Sequence, residues 1–155
     1  MSTRRVWRIC REVHAAKPFS GEGPFRYGGR WNPPGVQVVY CSESRSLAAM
    51  EILVHHLGTG VFKSSRWVAI SADLPESVIE KPARVPENWR GPSPIPAVQE
   101  FGAAWARERR SAVLRVPSAV VLGEFNYVLN PTHPDFAKIT PGTPELFSFD
   151  LRLKP

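Results

Sequence analysis

The sequence predicts an α+β domain. Three observations carry that reading. Apolar, β-branched stretches outnumber helical ones, the helical stretches are not regularly interleaved with the strands, and sixteen prolines with eleven glycines demand many turns. Regular strand–helix alternation, the mark of a doubly wound sheet, is missing, and so much proline argues against a helical bundle. The 155 residues suit one domain with one sizeable core. A balance of 43% hydrophobic to 22% charged residues argues against wholesale disorder.

Taken in order, VWRIC (6–10) reads as a first short strand. Residues 15–35, rich in glycine and proline, show little periodicity and read as a long loop. QVVYCS (37–42) is β-branched and aromatic, hence a buried strand. Ser42 or Ser44 then caps a helix from about Arg45 to Leu57, stopped at Gly58. RWVAISADL (66–74) is the next strand, and the proline-rich stretch 81–96 is a surface loop, not a domain linker. Pro96 suits a helix start. From Ala97 to Arg110, Val98, Phe101 and Trp105 form one stripe, with Arg107, Arg109 and Arg110 in the last turn where the helix dipole favours cations. AVLRVPSAVVL (112–122), FNYVLN (125–130) and LFSFDLRL (146–153) complete the strands.

Several functions are disfavoured at once. No apolar run approaches the roughly 20 residues that span a bilayer, and MSTRRVWRIC has no apolar stretch behind its arginines, so neither a membrane anchor nor a signal peptide is expected. Cys10 and Cys41 stand apart without CxxC spacing, which points to reduced thiols in a cytoplasmic protein. A net charge of +6 invites anionic partners, whether nucleic acid, phosphorylated metabolites or an acidic protein. The basic residues are scattered and form no helix-turn-helix or RNP pattern, so direct nucleic-acid binding is not expected. Glu51 and His55 are four apart on one helix, but HExxH is absent and His14 and His133 have no ligand-like neighbours; no metal is expected. GxSxG, the P-loop and a strand-to-helix GxGxxG are all missing.

Four residues invite a chemical reading. In YGGRWNPPG (27–35), Gly28 and Gly29 remove side chains beside Arg30, which lets a backbone and a ligand approach closely. A guanidinium there suits a phosphate, although the same residues fit a Gly-Gly turn with a solvated arginine. Glu51 follows Leu47 by four and precedes Val54 by three, which sets a carboxylate within the apolar stripe of its helix. It is working, or it is a stripe-edge glutamate that reaches solvent, or it is held in a structural ion pair to an arginine. Tyr40, at the end of its strand, can stack on a flat ring or simply fill the core. Ser118 is a hydroxyl in an apolar strand, as able to bond backbone as substrate.

Taken together, GEGPFRYGGRWNPPG, VVYCSES, the Glu51 helix, LRVPSAVV, NYVLNPTHPDF and FDLRL, in that order, resemble the RES domain. That family supplies the toxin of RES–Xre toxin–antitoxin pairs. The resemblance runs from about Trp7 to Leu153; Pro24, where the family commonly has alanine, departs from it in one loop. It implies a single RES domain over residues 1–155, with a compact α+β fold similar to ADP-ribosyltransferases. It implies a toxin that cleaves the nicotinamide–ribose bond of NAD, as glycohydrolase, phosphorylase or ADP-ribosyltransferase, with no further cofactor. The family's arginine, tyrosine, glutamate and serine map to Arg30, Tyr40, Glu51 and Ser118, the implied catalytic set.

The implied roles follow the chemistry. Glu51 stabilises the cationic sugar, Tyr40 packs on nicotinamide or the adjacent ribose, and Ser118 bonds the substrate or positions Glu51. Arg30 meets the diphosphate, with Arg8 as a second cation; Arg8, Arg30, Tyr40 and Ser118 thus form the implied NAD-binding set. The implied partner is an Xre-type antitoxin that covers the site and binds operator DNA, giving a hetero-oligomer. Basicity and five tryptophans leave an RNA-binding or RNA-cleaving toxin as the alternative.

Overall fold

The computed structural model describes residues 2–153. Its strands are β1 (Thr3–Arg11), β2 (Val39–Ser42), β3 (Trp67–Pro75), β4 (Ile79–Glu80), β5 (Val113–Pro117), β6 (Phe125–Leu129), β7 (Thr140–Pro141) and β8 (Glu145–Phe147). Its α-helices are α1 (Glu22–Tyr27), α2 (Arg45–His56), α3 (Val61–Ser64) and α4 (Pro96–Arg107). The strands form one sheet in the order β4-β5-β6-β2-β1-β3-β7, with β8 beside β7 on the outer edge of β3. Every pairing is antiparallel except β4 with β5, and the helices are not interleaved with the strands, so the α+β class holds.

One junction of this sheet is weak. β1 and β3 pair along their whole length, from Thr3↔Pro75 to Arg11↔Trp67. β1 and β2 meet only at Trp7↔Ser42. Two sub-sheets therefore hinge on one pair, β4-β5-β6-β2 on one side and β1-β3-β7-β8 on the other.

Alternation along the strands sorts the side chains into two faces. On one, Ile9 and Ala69 pack with Ala48 and Ile52 of α2, and Leu114, Val116 and Val128 pack with Val98, Ala103 and Trp105 of α4. On the other, Val6, Val39, Cys41, Ala72, Tyr127 and Leu129 are covered by Val78, Ile139 and Phe136. Both long helices thus lie on one face, each over its own sub-sheet, and β2 runs between them.

The local rules explain the helix limits. Ser44, not Ser42, caps α2: its backbone is extended and its Oγ accepts the Leu47 N–H at 3.0 Å. Gly58 follows with φ of 77°. α4 ends three residues earlier than its basic cluster implies, because Arg109 turns left-handed (φ 54°) and the Arg110 N–H reaches back to the Trp105 carbonyl. Only Arg107 stays in the last turn, and Arg110 pairs with Glu80 and Glu108 instead.

Three readings are corrected. The stretch 15–35 is not all loop, since α1 forms between the left-handed Gly21 and Gly28; Gly23 and Pro24 inside its six residues hide it from any periodicity. The strand at 112–122 stops at Pro117, where the Ser118 hydroxyl captures the N–H groups of Val120 and Val121 and turns the chain. The last strand is only Glu145–Phe147, and Leu151–Leu153 coils into a 3-10 turn behind Asp150, which accepts the Arg152 N–H.

Candidate active site

Glu51 lies on α2, facing β6 and the turn after β5. Its Oε1 accepts two hydrogen bonds, from Ser118 Oγ at 2.9 Å and from Asn126 Nδ2 at 2.7 Å. The stripe that sequence spacing assigned to it is only half right: Leu47 is buried, but Val54 is 50% exposed. Glu51 therefore sits at the stripe's edge, half-buried, and two polar donors hold it. Ser118 is fixed in one polarity. Its Oγ accepts from Val120 N (3.1 Å) and Val121 N (3.0 Å), so its one hydrogen is left to donate to Glu51. At 0% exposure it has no face for a substrate. Of the two roles the sequence allows for Ser118, positioning Glu51 is the one this geometry supports.

The turn around Arg30 is built from its neighbours outward. Gly28 is left-handed (φ 73°), a conformation that suits glycine. Gly29 is required for a different reason: a Cβ there would lie 2.7 Å from the Tyr40 hydroxyl. Gly29 therefore makes room for Tyr40, while a Cβ on Gly28 would press on Pro34 and the Asn32 carbonyl. Asn32 is fully buried and joins the turn together. Its Nδ2 donates to the carbonyls of Pro24 (2.9 Å), Pro33 (3.2 Å) and Val36 (3.0 Å), and its Oδ1 accepts from the Tyr40 hydroxyl at 2.6 Å. That hydroxyl in turn accepts the Trp31 N–H at 3.1 Å.

Both hydrogen-bonding capacities of Tyr40 point inward. Burial holds its phenol above the ordinary 10, only partly offset by the Trp31 N–H and the charge of Arg30. The turn is also pinned to α4. Gln99 Nε2 donates to the Gly29 carbonyl at 3.0 Å, and Gly102 lies against the Trp31 backbone so closely that a Cβ would overlap the Trp31 carbonyl oxygen.

Arg30 itself reaches across to the proline-rich loop. Its Nη1 donates to the carbonyls of Trp89 (2.6 Å) and Gly91 (2.9 Å), while Trp89 stacks on Trp31 with ring centres 6.2 Å apart. Nε and Nη2 have no hydrogen-bond partner among the described residues. Within the same loop, Arg90 Nε donates to the Ala119 carbonyl at 3.4 Å, next to Ser118. Arg30 and Glu51 make no direct contact; the loop 88–91 and the turn at Ser118 connect them.

Arg8 lies apart from this set. Alternation places it with Val6 and Cys10, on the face away from α2, and its Nη1 reaches the Tyr40 carbonyl at 3.4 Å across the weak β1–β2 junction. Its Nε is buried without a partner among the described residues. Cys10 and Cys41 on that same face are buried free thiols, and burial pushes Cys41 up to about 12. No group of three or more metal-ligating side chains occurs among the described residues.

Two cavities lie elsewhere. One of about 870 Å³ is walled by Phe62, Trp67, Phe147 and Phe149, and one of about 500 Å³ lies between Phe25 and Arg109. Neither is lined by Arg30, Tyr40, Glu51 or Ser118. Sequence reasoning missed the Ser42–Asn126 pair and the loop 88–91, whereas the expectation that Trp31 and Asn32 anchor the turn agrees with these bonds. Asn126 and Ser42 are polar residues within otherwise apolar strands, and that break in pattern was the available signal.

Comparison with known proteins bears on this arrangement. The family described as RES domain matches residues 5–150. A protein of Sphingobium sp. (strain YBL2), named Prs ADP-ribosylating toxin, is 36% identical over 140 residues, which cover 86% of each chain. A protein of Photorhabdus laumondii subsp. laumondii, named Toxin Res, is 36% identical over 151 residues, 96% of each chain. A solved structure titled as the M. tuberculosis MbcT-MbcA toxin-antitoxin complex superposes with a TM-score of 0.72 at 17% identity, covering 95% of this chain and 85% of that one. At that identity it speaks for the fold.

Proposed function

Because this chain belongs to the RES domain family, we propose that it is a toxin-type enzyme that consumes NAD by cleaving the bond between nicotinamide and ribose. The observation that carries the reading is Glu51. Both protein donors fall on Oε1, which leaves Oε2 without a partner among the described residues. Departure of nicotinamide takes the bonding electrons with it and leaves an oxocarbenium-like sugar. A fixed carboxylate beside that sugar stabilises the developing positive charge and can hold a ribose hydroxyl. A carboxylate that needs no reorganisation at that moment is the more effective one.

The other residues take supporting parts. Arg30 keeps Nε and Nη2 for the diphosphate while Nη1 anchors the loop 88–91. Tyr40 holds the turn that carries Arg30, through Asn32 and Trp31, and can offer only its ring to the substrate. Ser118 orients Glu51. Arg8 steadies the backbone of Tyr40 from behind, a positioning part in place of direct phosphate contact. The reaction needs no metal and no cofactor beyond its substrate.

Water as acceptor makes the products nicotinamide and ADP-ribose. The name of the Sphingobium relative favours a second reading, transfer of ADP-ribose to a protein. An enzyme that drains NAD needs an inhibitor, and the fold shared with the toxin of a toxin–antitoxin complex supports an antitoxin partner here, of Xre type by family, in a cytoplasmic hetero-oligomer. Against RNA as substrate stand the ion pairs that occupy Arg4, Arg5, Arg26, Arg45, Arg66, Arg107 and Arg110, which break up any basic track. The test is to incubate the purified chain with NAD and, separately, with RNA, and to identify products by mass spectrometry with and without phosphate and cell lysate. Loss of NAD with release of nicotinamide is expected; intact NAD beside degraded RNA would reverse the assignment.

A further inference from the structure

The polar pair at the centre of the sheet is not explained by packing. Asn126 on β6 is registered opposite Ser42 on β2 and Val116 on β5, so its side chain stands on the sheet face that carries α2. Its amide is used at both ends. Oδ1 faces Ser42 Oγ at 2.7 Å, and Nδ2 donates to Glu51 Oε1 at 2.7 Å. The amide oxygen can only accept, so the Ser42 hydroxyl must be the donor. Ser42 is 4% exposed, which keeps water from competing for that bond.

The chain of bonds therefore has one direction. Ser42 donates to Asn126, Asn126 donates to Glu51, and Ser118 donates to the same oxygen from the other side. A flipped amide would set its oxygen against the carboxylate, two acceptors face to face, and would waste the Ser42 hydrogen. Ser42 locks the amide, and the amide with Ser118 fixes the plane and rotation of the Glu51 carboxylate. Long, flexible glutamates seldom hold one geometry unaided, since fixing such a side chain in one rotamer costs conformational entropy.

We infer that Asn126, locked by Ser42, is a positioning residue for the reaction: it presents the Oε2 oxygen of Glu51 to the sugar. The inference rests on the proposed NAD cleavage and deepens it. A supporting bond of this kind acts on the chemical step, because the charge that Glu51 stabilises exists only in the transition state.

The test uses the full chain and NAD, with kcat and KM measured separately and thermal unfolding run alongside. Asn126→Leu keeps the branched outline and removes the donor; kcat falls about 10- to 100-fold while KM stays within about three-fold, as expected for loss of one bond to a charged group. Asn126→Asp keeps the shape and sets an acceptor against Glu51; kcat falls at least as far, the reverse of what a shape-filling role gives. Ser42→Ala frees the amide to flip, and kcat drops several-fold without loss of fold, which keeps the idea open to test if the Asn126 variants do not fold. NAD turnover by the wild-type chain combined with an unchanged kcat in folded Asn126→Leu or Ser42→Ala overturns this inference alone. Absence of NAD turnover by the wild-type chain overturns the proposed function and this inference with it.

Discussion

Tyr40→Phe separates two accounts of one side chain. If the ring is what matters, packed on nicotinamide, the variant keeps it and keeps activity. If the hydroxyl is what matters, the variant loses the centre of the turn that carries Arg30. The structure supplies the magnitude. Without the hydroxyl, the Trp31 N–H loses its acceptor at 3.1 Å and Asn32 Oδ1 loses its donor at 2.6 Å, and both residues are buried. Each unsatisfied buried group costs about 1–3 kcal/mol, so the pair costs about 2–6 kcal/mol. For a domain of this size each kcal/mol lowers Tm by about 2–4 °C, which gives a fall of about 4–24 °C. Thermal unfolding by circular dichroism measures it, with initial rates of NAD loss recorded well below the new Tm. We expect both to fall. A Tm within about 1 °C of wild type, with activity retained, would refute the anchoring role and return Tyr40 to the ring-packing one.

Three further outcomes follow from the same coordinates. Arg30→Ala removes the guanidinium that holds the carbonyls of Trp89 and Gly91 and that we propose meets the diphosphate, so kcat/KM for NAD should drop about 10²- to 10³-fold; near-normal turnover would refute its assignment. Gly102→Ala, which in an open helix gains about 1 kcal/mol, should instead lower Tm and activity, because the new methyl overlaps the Trp31 carbonyl; a raised Tm would contradict that contact. Burial raises the Cys41 thiol from its ordinary 9.0 to about 12, so the fold keeps it protonated while the unfolded chain ionises. Its contribution to stability is present below pH 9 and is lost as pH rises toward 12, and a thiol reagent at pH 8 should label Cys41 only after denaturant is added.

Much of the fold was legible because it rests on local chemistry. The α2 helix could be read from its serine cap and its glycine stop, and β2, β3 and β6 from β-branched runs that burial on both faces makes nearly continuous. α1 was hidden by glycine and proline inside six residues, and the end of β5 by a hydroxyl whose partners lie two and three residues on. The short strands β4, β7 and β8 exist only because longer partners offer them an edge. In the candidate site, the family resemblance pointed to Glu51 and Ser118, and the structure joins these two side chains at 2.9 Å. Asn126 was not, because its partners stand 84 residues away at Ser42 and 75 away at Glu51, separations that no spacing rule spans. The glycines beside Arg30 were readable as necessary, but the reason for Gly29, the Tyr40 hydroxyl, came from eleven residues further along the chain.

The central claim is that a carboxylate held by Ser118 and Asn126 stabilises the sugar as nicotinamide leaves. Glu51→Gln tests it most directly, since the amide oxygen can still accept both bonds and the fold should stand. Nicotinamide release from NAD, measured for folded Glu51→Gln beside the wild-type chain, should fall by about 10³-fold or more in kcat with little change in KM. A folded Glu51→Gln chain that releases nicotinamide at a rate close to wild type would contradict the account.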